Sequence, residues 1–206
     1  MGLSLVTDAS ALPWTAAESK AEIPGYVAGT NNDATILGCL NAATKWVQNQ
    51  TCRQLMAATW LQTWADWPEA MKLGLRPISS VSSVKYYDSD ATLQTVSSSD
   101  YWVDTNANRD EPDIVFKSSF TWPTVEDGRP SAVEVRFVAG YPSAAAVPED
   151  LKRAIQLLTR YWYEINMAAS PIVASQNPVD AQPLKYGEIP FGVWSIVNMY
   201  KTDGYT

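Results

Sequence analysis

The chain has 206 residues, 46% of them hydrophobic, nine of them Trp and only 18% of them charged. That is enough apolar material for a packed core, and it excludes disorder over most of the length. Fifteen basic and 22 acidic residues leave a net charge of −7 with no long Lys or Arg run, which excludes tight binding to nucleic-acid phosphates.

In chain order, the N-terminal stretch MGLSLVTDAS lacks the basic and long apolar regions of a signal peptide. It also has Val6 where a myristoylation pattern needs Ser or Thr. No window approaches the roughly 18 apolar residues of a membrane span, so the expectation is a protein made in a cytoplasm with no membrane partner. Residues 15–21, TAAESKA, open with a capping box between Thr15 and Glu18 and predict a short helix. A loop through Pro24, Gly25, Gly29 and Asn31-Asn32 follows. A longer helix then starts near Asp33, whose charge suits the helix dipole. Ile36, Leu40, Ala43 and Val47 form its apolar stripe, widened by Leu37 and Trp46, and it is expected to run to about Met56 with a break near Gln50-Thr51.

From about 58 to 140 the apolar period changes to two. TWLQTW (59–64) predicts a strand with Trp60 and Trp64 on one face and Leu61 and Thr63 on the other. VSSVKYY (81–87), a turn at 88–90 and TLQTV (92–96) predict a hairpin. YWVD (101–104) and IVF (114–116) predict short strands, and AVEVRFV (132–138) a strand whose Val133, Val135 and Phe137 alternate with Glu134 and Arg136. Helical spacing returns at Pro148, with Leu151, Ile155, Leu158, Trp162 and Ile165 on one face to about Ala168. Prolines at 171, 178, 183 and 190 mark an irregular loop over 169–190, and a C-terminal helix is expected over 191–203. The reading is α+β: one domain over 1–206, with helices over 1–57, an antiparallel β insertion at about 58–140, and C-terminal helices.

Chemistry is hard to find. Histidine is absent, which removes Ser–His and Cys–His nucleophiles, imidazole zinc sites and histidine acid–base catalysis. Cys39 and Cys52, if both on one helix, lie about 20 Å apart at the helical rise, beyond disulfide reach. The carboxylate-rich DTNANRDEPD (104–113) lacks the glycine and terminal Glu of a calcium loop and reads as a solvated turn. The serines at 79–83 and 97–99 have no partner base, and Gly187 and Gly192 are isolated rather than part of a phosphate loop. Trp60, Trp64 and Trp67 offer one binding alternative, a glycan-binding module stacking sugars on exposed Trp. Otherwise they are core or subunit-interface residues. No catalytic, metal or cofactor site is expected, and the chain does not read as an enzyme.

The order and spacing of several segments resemble the head–tail connector (head-completion adaptor) family of tailed phages. TAAESKA (15–21) resembles that family's N-terminal helix. The helix ending in NQTCRQLM (49–56) resembles its long first helix, which often closes on Tyr-Thr-Gly-Arg; here Cys52 stands in the glycine's place. TWLQTWADWP (59–68), LRPISSVSSVKYYDSDATLQTV (75–96) and VEVRFVAGYP (133–142) resemble the strands of its insertion. VPEDLKRAIQLLTRYWYE (147–164) and PFGVWSIVNMYK (190–201) resemble its closing helices. The resemblance spans about 185 residues, apart from a loop at 169–189 that carries no family signal.

The resemblance implies a virion protein of the bacteriophage neck, made in the host cytoplasm, that assembles as a homo-oligomeric ring of twelve (a dodecamer). The ring would dock under the portal protein and extend the DNA exit channel. It would then receive the next neck, stopper or tail-completion protein during head completion and virus assembly. A tail-completion or stopper protein is the alternative within the same class. Double-stranded DNA would pass without tight binding, consistent with the net charge of −7 on each copy. A ring needs two different patches on each subunit, and the candidate interface residues are Trp60, Trp64, Trp67, Trp102, Tyr186, Phe191, Trp194 and Tyr200.

Overall fold

The computed structural model describes residues 1–23, 30–105, 113–168 and 189–201. In chain order the elements are β1 (Gly2–Thr7), α1 (Ala16–Ala21), α2 (Thr30–Thr51), β2 (Ala58–Trp64), β3 (Ile78–Tyr87) and β4 (Leu93–Thr95). They continue with β5 (Tyr101–Val103), β6 (Ile114–Phe116), β7 (Val133–Ala139), α3 (Glu149–Ala168) and α4 (Phe191–Tyr200). N- and C-terminal helices therefore flank an antiparallel β region. Two compact units result: Met1–Ala11 with Cys52–Ser143, and Leu12–Thr51 with Ala144–Thr206.

In the helical unit the predicted capping box forms. The Thr15 amide donates to Glu18 Oε2 at 2.8 Å and the Glu18 amide to Thr15 Oγ1 at 3.2 Å, and these bonds with Thr15 hold the Glu18 carboxyl below its ordinary range. Lys20 Nζ then meets Asp33 Oδ2 at 2.7 Å, tying α1 to the first turn of α2. The stripe Ile36, Leu40, Ala43 and Val47 is fully buried, as are Leu151, Ile155 and Leu158 of α3. Periodic apolar residues make helices because burial of one face supplies the stability that propensity alone does not. The expected loop through Pro24, Gly25 and Gly29 and most of that over 169–190 lie outside the described residues, whereas Asn31-Asn32, expected in the first loop, belong to α2, which starts at Thr30 rather than near Asp33.

Helix α2 ends at Thr51, five residues short of the predicted end near Met56. Cys52 adopts φ +48°, the left-handed conformation that terminates helices and that glycine fills most easily. Thr51 Oγ1 donates to the Val47 carbonyl at 2.7 Å within the last turn. The chain beyond belongs to the sheet unit, where Arg53 bridges Arg76 and Met56 bridges Tyr141.

The sheet unit holds a five-stranded sheet in the order β1-β2-β7-β3-β4 and a two-stranded ribbon, β5-β6. β7 is central. Its Val133, Val135, Phe137 and Ala139 are buried, and opposite them on β2 lie Trp64, Gln62, Trp60 and Ala58. The same face carries Val84 of β3, and Met71, Leu73, Tyr101 and Ile114 complete the core. At the strand's exit Gly140 has φ +111°, and a Cβ there would fall 2.5 Å from the Met56 backbone. The Ala-Gly-Tyr exit therefore needs glycine for both conformation and close approach. In the hairpin, Asp88 Oδ1 accepts the Asp90 and Thr92 amides while Gln94 Nε2 donates to Oδ2 at 2.7 Å. The Gln94 bond leads the interactions that hold the Asp88 carboxyl below its ordinary range.

Three features escaped the sequence. β1 pairs antiparallel with β2, placing Leu3 opposite Gln62 and Leu5 opposite Trp60. Gln62 is fully buried in the sheet's core face yet satisfied. Its Nε2 donates to the Lys72 carbonyl at 2.9 Å and its Oε1 accepts the Gly74 amide at 2.8 Å. Asp113, expected in a solvated turn, is instead fully buried. Its carboxylate accepts the Leu73 amide at 2.7 Å and ion-pairs with Arg76. Burial pushes its pKa up, against the pull of the Leu73 amide and the Arg76 guanidinium.

Two outcomes test these assignments by denaturant unfolding. Cys52→Gly should stabilise the chain by about 1 kcal/mol by removing the Cβ penalty of the left-handed conformation. Asp113→Ala should cost about 1–3 kcal/mol because it leaves the buried Leu73 amide without its acceptor and removes the Asp113 contact of the Arg76 guanidinium.

Candidate subunit interface

Ser79, Ser97 and Asp113, among the polar groups singled out in the sequence, are engaged in holding the fold. Ser79 Oγ donates to the Gly140 carbonyl at 2.8 Å, and Ser97 Oγ accepts the Ser99 amide at 3.3 Å. Among the described residues no three His, Cys, Asp or Glu side chains are grouped to hold a metal. No described helix is long and apolar enough to cross a membrane. What the surface offers is apolar side chains facing water.

In the helical unit these gather on α4, whose sequence FGVWSIVNMY carries no charge. Val193 and Val197, four apart, are buried. Trp194 packs edge-on against Trp46 of α2, with centroids 5.2 Å apart and planes at 78°, and Lys201 Nζ sits 4.7 Å from its ring centroid. Tyr200 OH donates to Asp150 Oδ2 of α3 at 3.4 Å. Trp194 and Tyr200 thus help seat the helix. Phe191 is 86% exposed and Met199 67% exposed. At 3.6 residues per turn the two side chains lie about 80° apart around the helix, on an exposed arc that also carries Ser195 and Asn198. Met199 was not singled out in the sequence.

In the sheet unit the tryptophans divide by environment. Trp64 is buried in the core, and Trp60 is half-buried against it, its buried indole N–H lacking an acceptor among the described residues. Trp67 Nε1 donates to the Pro123 carbonyl at 2.9 Å. Its ring lies within an aromatic cluster, 5.5 Å from Tyr86, 5.7 Å from Phe116 and 5.3 Å from Trp122. The exposed sugar-stacking row considered for Trp60, Trp64 and Trp67 therefore does not exist, because the core and this cluster occupy their faces. Trp102 is 59% exposed on β5, opposite exposed Val115 of β6, with Lys117 Nζ 5.3 Å from its ring. Trp122, missed in the sequence, is 51% exposed at the rim of the aromatic cluster. Tyr186 lies outside the described residues.

The chain's residues 24–202 match the family model described as head completion protein. No curated protein sequence matches it. Solved structures of like fold include three from gene transfer agent particles. One is from the virion of a native gene transfer agent (GTA) particle, with TM-score 0.71 and 22% identity. A second is from the neck of an empty GTA particle computed with C6 symmetry, with TM-score 0.71 and 21% identity. A third is from the neck of a native GTA particle computed with C12 symmetry, with TM-score 0.70 and 23% identity. Each likeness covers 100% of this chain and 98% of that one; at such identities it is a likeness of fold.

The division of the tryptophans is measurable by denaturant unfolding. Trp64→Ala should cost about 3–5 kcal/mol as a core truncation, whereas Trp102→Ala should stay within about 0.5 kcal/mol of the parent.

Proposed function

Because the chain belongs to the head completion protein family, we propose that it is a structural neck component that assembles as a ring of twelve copies beneath the portal of a phage-like particle. In this reading the ring extends the channel through which DNA leaves the head and receives the next neck or tail-completion component. The family match over residues 24–202 carries the reading. The neck structures of like fold, one of them computed with C12 symmetry, support the location and the copy number.

The surface chemistry agrees. Obligate assemblies bury apolar faces that would otherwise be a solubility cost, and Phe191 and Met199 are such a face on a helix held in place by Trp194 and Tyr200. We assign the outer face of α4 to contact with the portal or a neighbouring copy. A net charge of −7 per copy lets double-stranded DNA pass without adhering.

A variant with Phe191→Ser and Met199→Ser tests the assignment, since both side chains are exposed in the single chain. Its unfolding free energy should stay within about 0.5–1 kcal/mol of the parent. The yield of complete tailed particles should fall by more than about tenfold, as expected when two interface anchors are lost. Unchanged particle yield would remove α4 from the interface.

A further inference from the structure

The five-stranded sheet ends on β1 and β4. Proteins shield open edges with very short strands, Lys, Pro, inward charges or bulges, because unpaired backbone groups recruit other strands; of these β4 has only its three-residue length and β1 only an irregularity at its end. β1 reads GLSLVT and β4 reads LQT, without a charge or a proline in either. The one irregularity on β1 is a register shift between Leu5 and Thr7, at its end. All six β1 residues are exposed, with Leu3 at 41% and Leu5 at 45%, and Leu93 of β4 is 41% exposed. Opposite residues of an antiparallel pair share a face, so Leu3 and Leu5 extend the sheet's core face beyond Gln62 and Trp60 and leave it uncovered there.

The directions and charges of the two edges match each other. Every neighbouring pair in the order β1-β2-β7-β3-β4 is antiparallel, so β1 and β4 point the same way. Two copies related by rotation about an axis near the strand direction would bring β4 of one beside β1 of the next in parallel. Beside the start of β1 lies Lys72, in the loop that Gln62, the partner of Leu3, holds through its amide. Before the start of β4 lie Asp88 and exposed Asp90. Exposed Asp8 follows the end of β1, and Lys85 is the partner of Thr95 at the end of β4, with Glu134 of β7 on its inner side. Parallel pairing therefore sets Lys72 against Asp90 and Asp8 against Lys85. Antiparallel pairing would set Lys72 against Lys85 and Asp8 against Asp90, which is repulsive.

We propose that the occupant of each edge is a second copy of this chain: β4 of one subunit pairs in parallel with β1 of the next, so that the sheet continues from subunit to subunit. Such a contact is heterologous, uses two different patches, and closes when the rotation closes, as a ring requires. The inference rests on the ring reading given above.

Ser4→Cys combined with Thr95→Cys, treated with a short bis-maleimide in purified particles, should give a ladder of covalent multimers. Either single variant and the parent should give none. If particles hold the chain as a closed ring by neck imaging while the double variant stays monomeric on denaturing gels, strand addition is wrong and the ring reading stands. If the chain forms no ring, both fall. A second variant, Leu3→Lys with Leu5→Lys, changes only exposed positions of β1. It should keep the parent's circular dichroism and unfolding midpoint yet reduce ring formation at least tenfold; undiminished rings would overturn the proposal.

Discussion

The buried pair of Asp113 and Arg76 is the constraint around which the sheet unit is organised. Asp113 stands where the β5–β6 ribbon, the loop over 71–76 and the segment leaving α2 meet. Its carboxylate takes the Leu73 amide and the Arg76 guanidinium. Its backbone amide donates to Met71 and its carbonyl accepts from Asp104, each at 2.9 Å. Arg76 carries the connection further, because its carbonyl accepts the Gln54 amide at 2.8 Å and its own amide donates to Cys52. A buried pair of this kind adds little net stability over an apolar substitute, but removing one member leaves buried polar groups short of a bond. Its effect is to fix which loop lies over which strand.

Gln62 does the same for the neighbouring residues of that loop. An amide in the middle of the most apolar face of the sheet is tolerable because both its ends are satisfied by the backbone of the 72–74 segment. Both polar anchors thus hold one connection, between β2 and β3, against the sheet. With that connection fixed, the aromatic cluster around Trp67 has a wall to pack on, and Trp122 is left at its margin.

Periodicity carried most of what was legible in the sequence. Ile36, Leu40, Ala43 and Val47 announce α2, Leu151 to Leu158 announce α3, and the alternation Val133, Val135, Phe137 announces β7, because each pattern reports a face that must leave water. Features set by distant partners were not legible. Asp113 meets Leu73 forty residues away, and β1 finds its register only on β2, with Ser4 opposite Leu61. Short runs such as GLSLVT have no period long enough to announce themselves. The end of α2 lies between these cases: Cys52 stands where the family it resembles often has glycine, which left the geometry of the helix end open, and the structure gives Cys52 φ +48°. For the candidate interface, residue type pointed mostly to Trp and Tyr, with Phe191 beside them. Exposure keeps Phe191 and Trp102 of that set and adds Met199 and Trp122, since aromatic rings serve cores and surfaces alike.

The proposed assembly as a neck ring rests on membership of the head completion protein family and on the exposed residues of α4. Cryo-electron microscopy of the particle neck tests that account most directly. The account predicts density for this chain as a closed ring of twelve copies coaxial with the DNA channel and directly below the portal. Density for the chain elsewhere in the particle, or particles that lack it altogether, would contradict it.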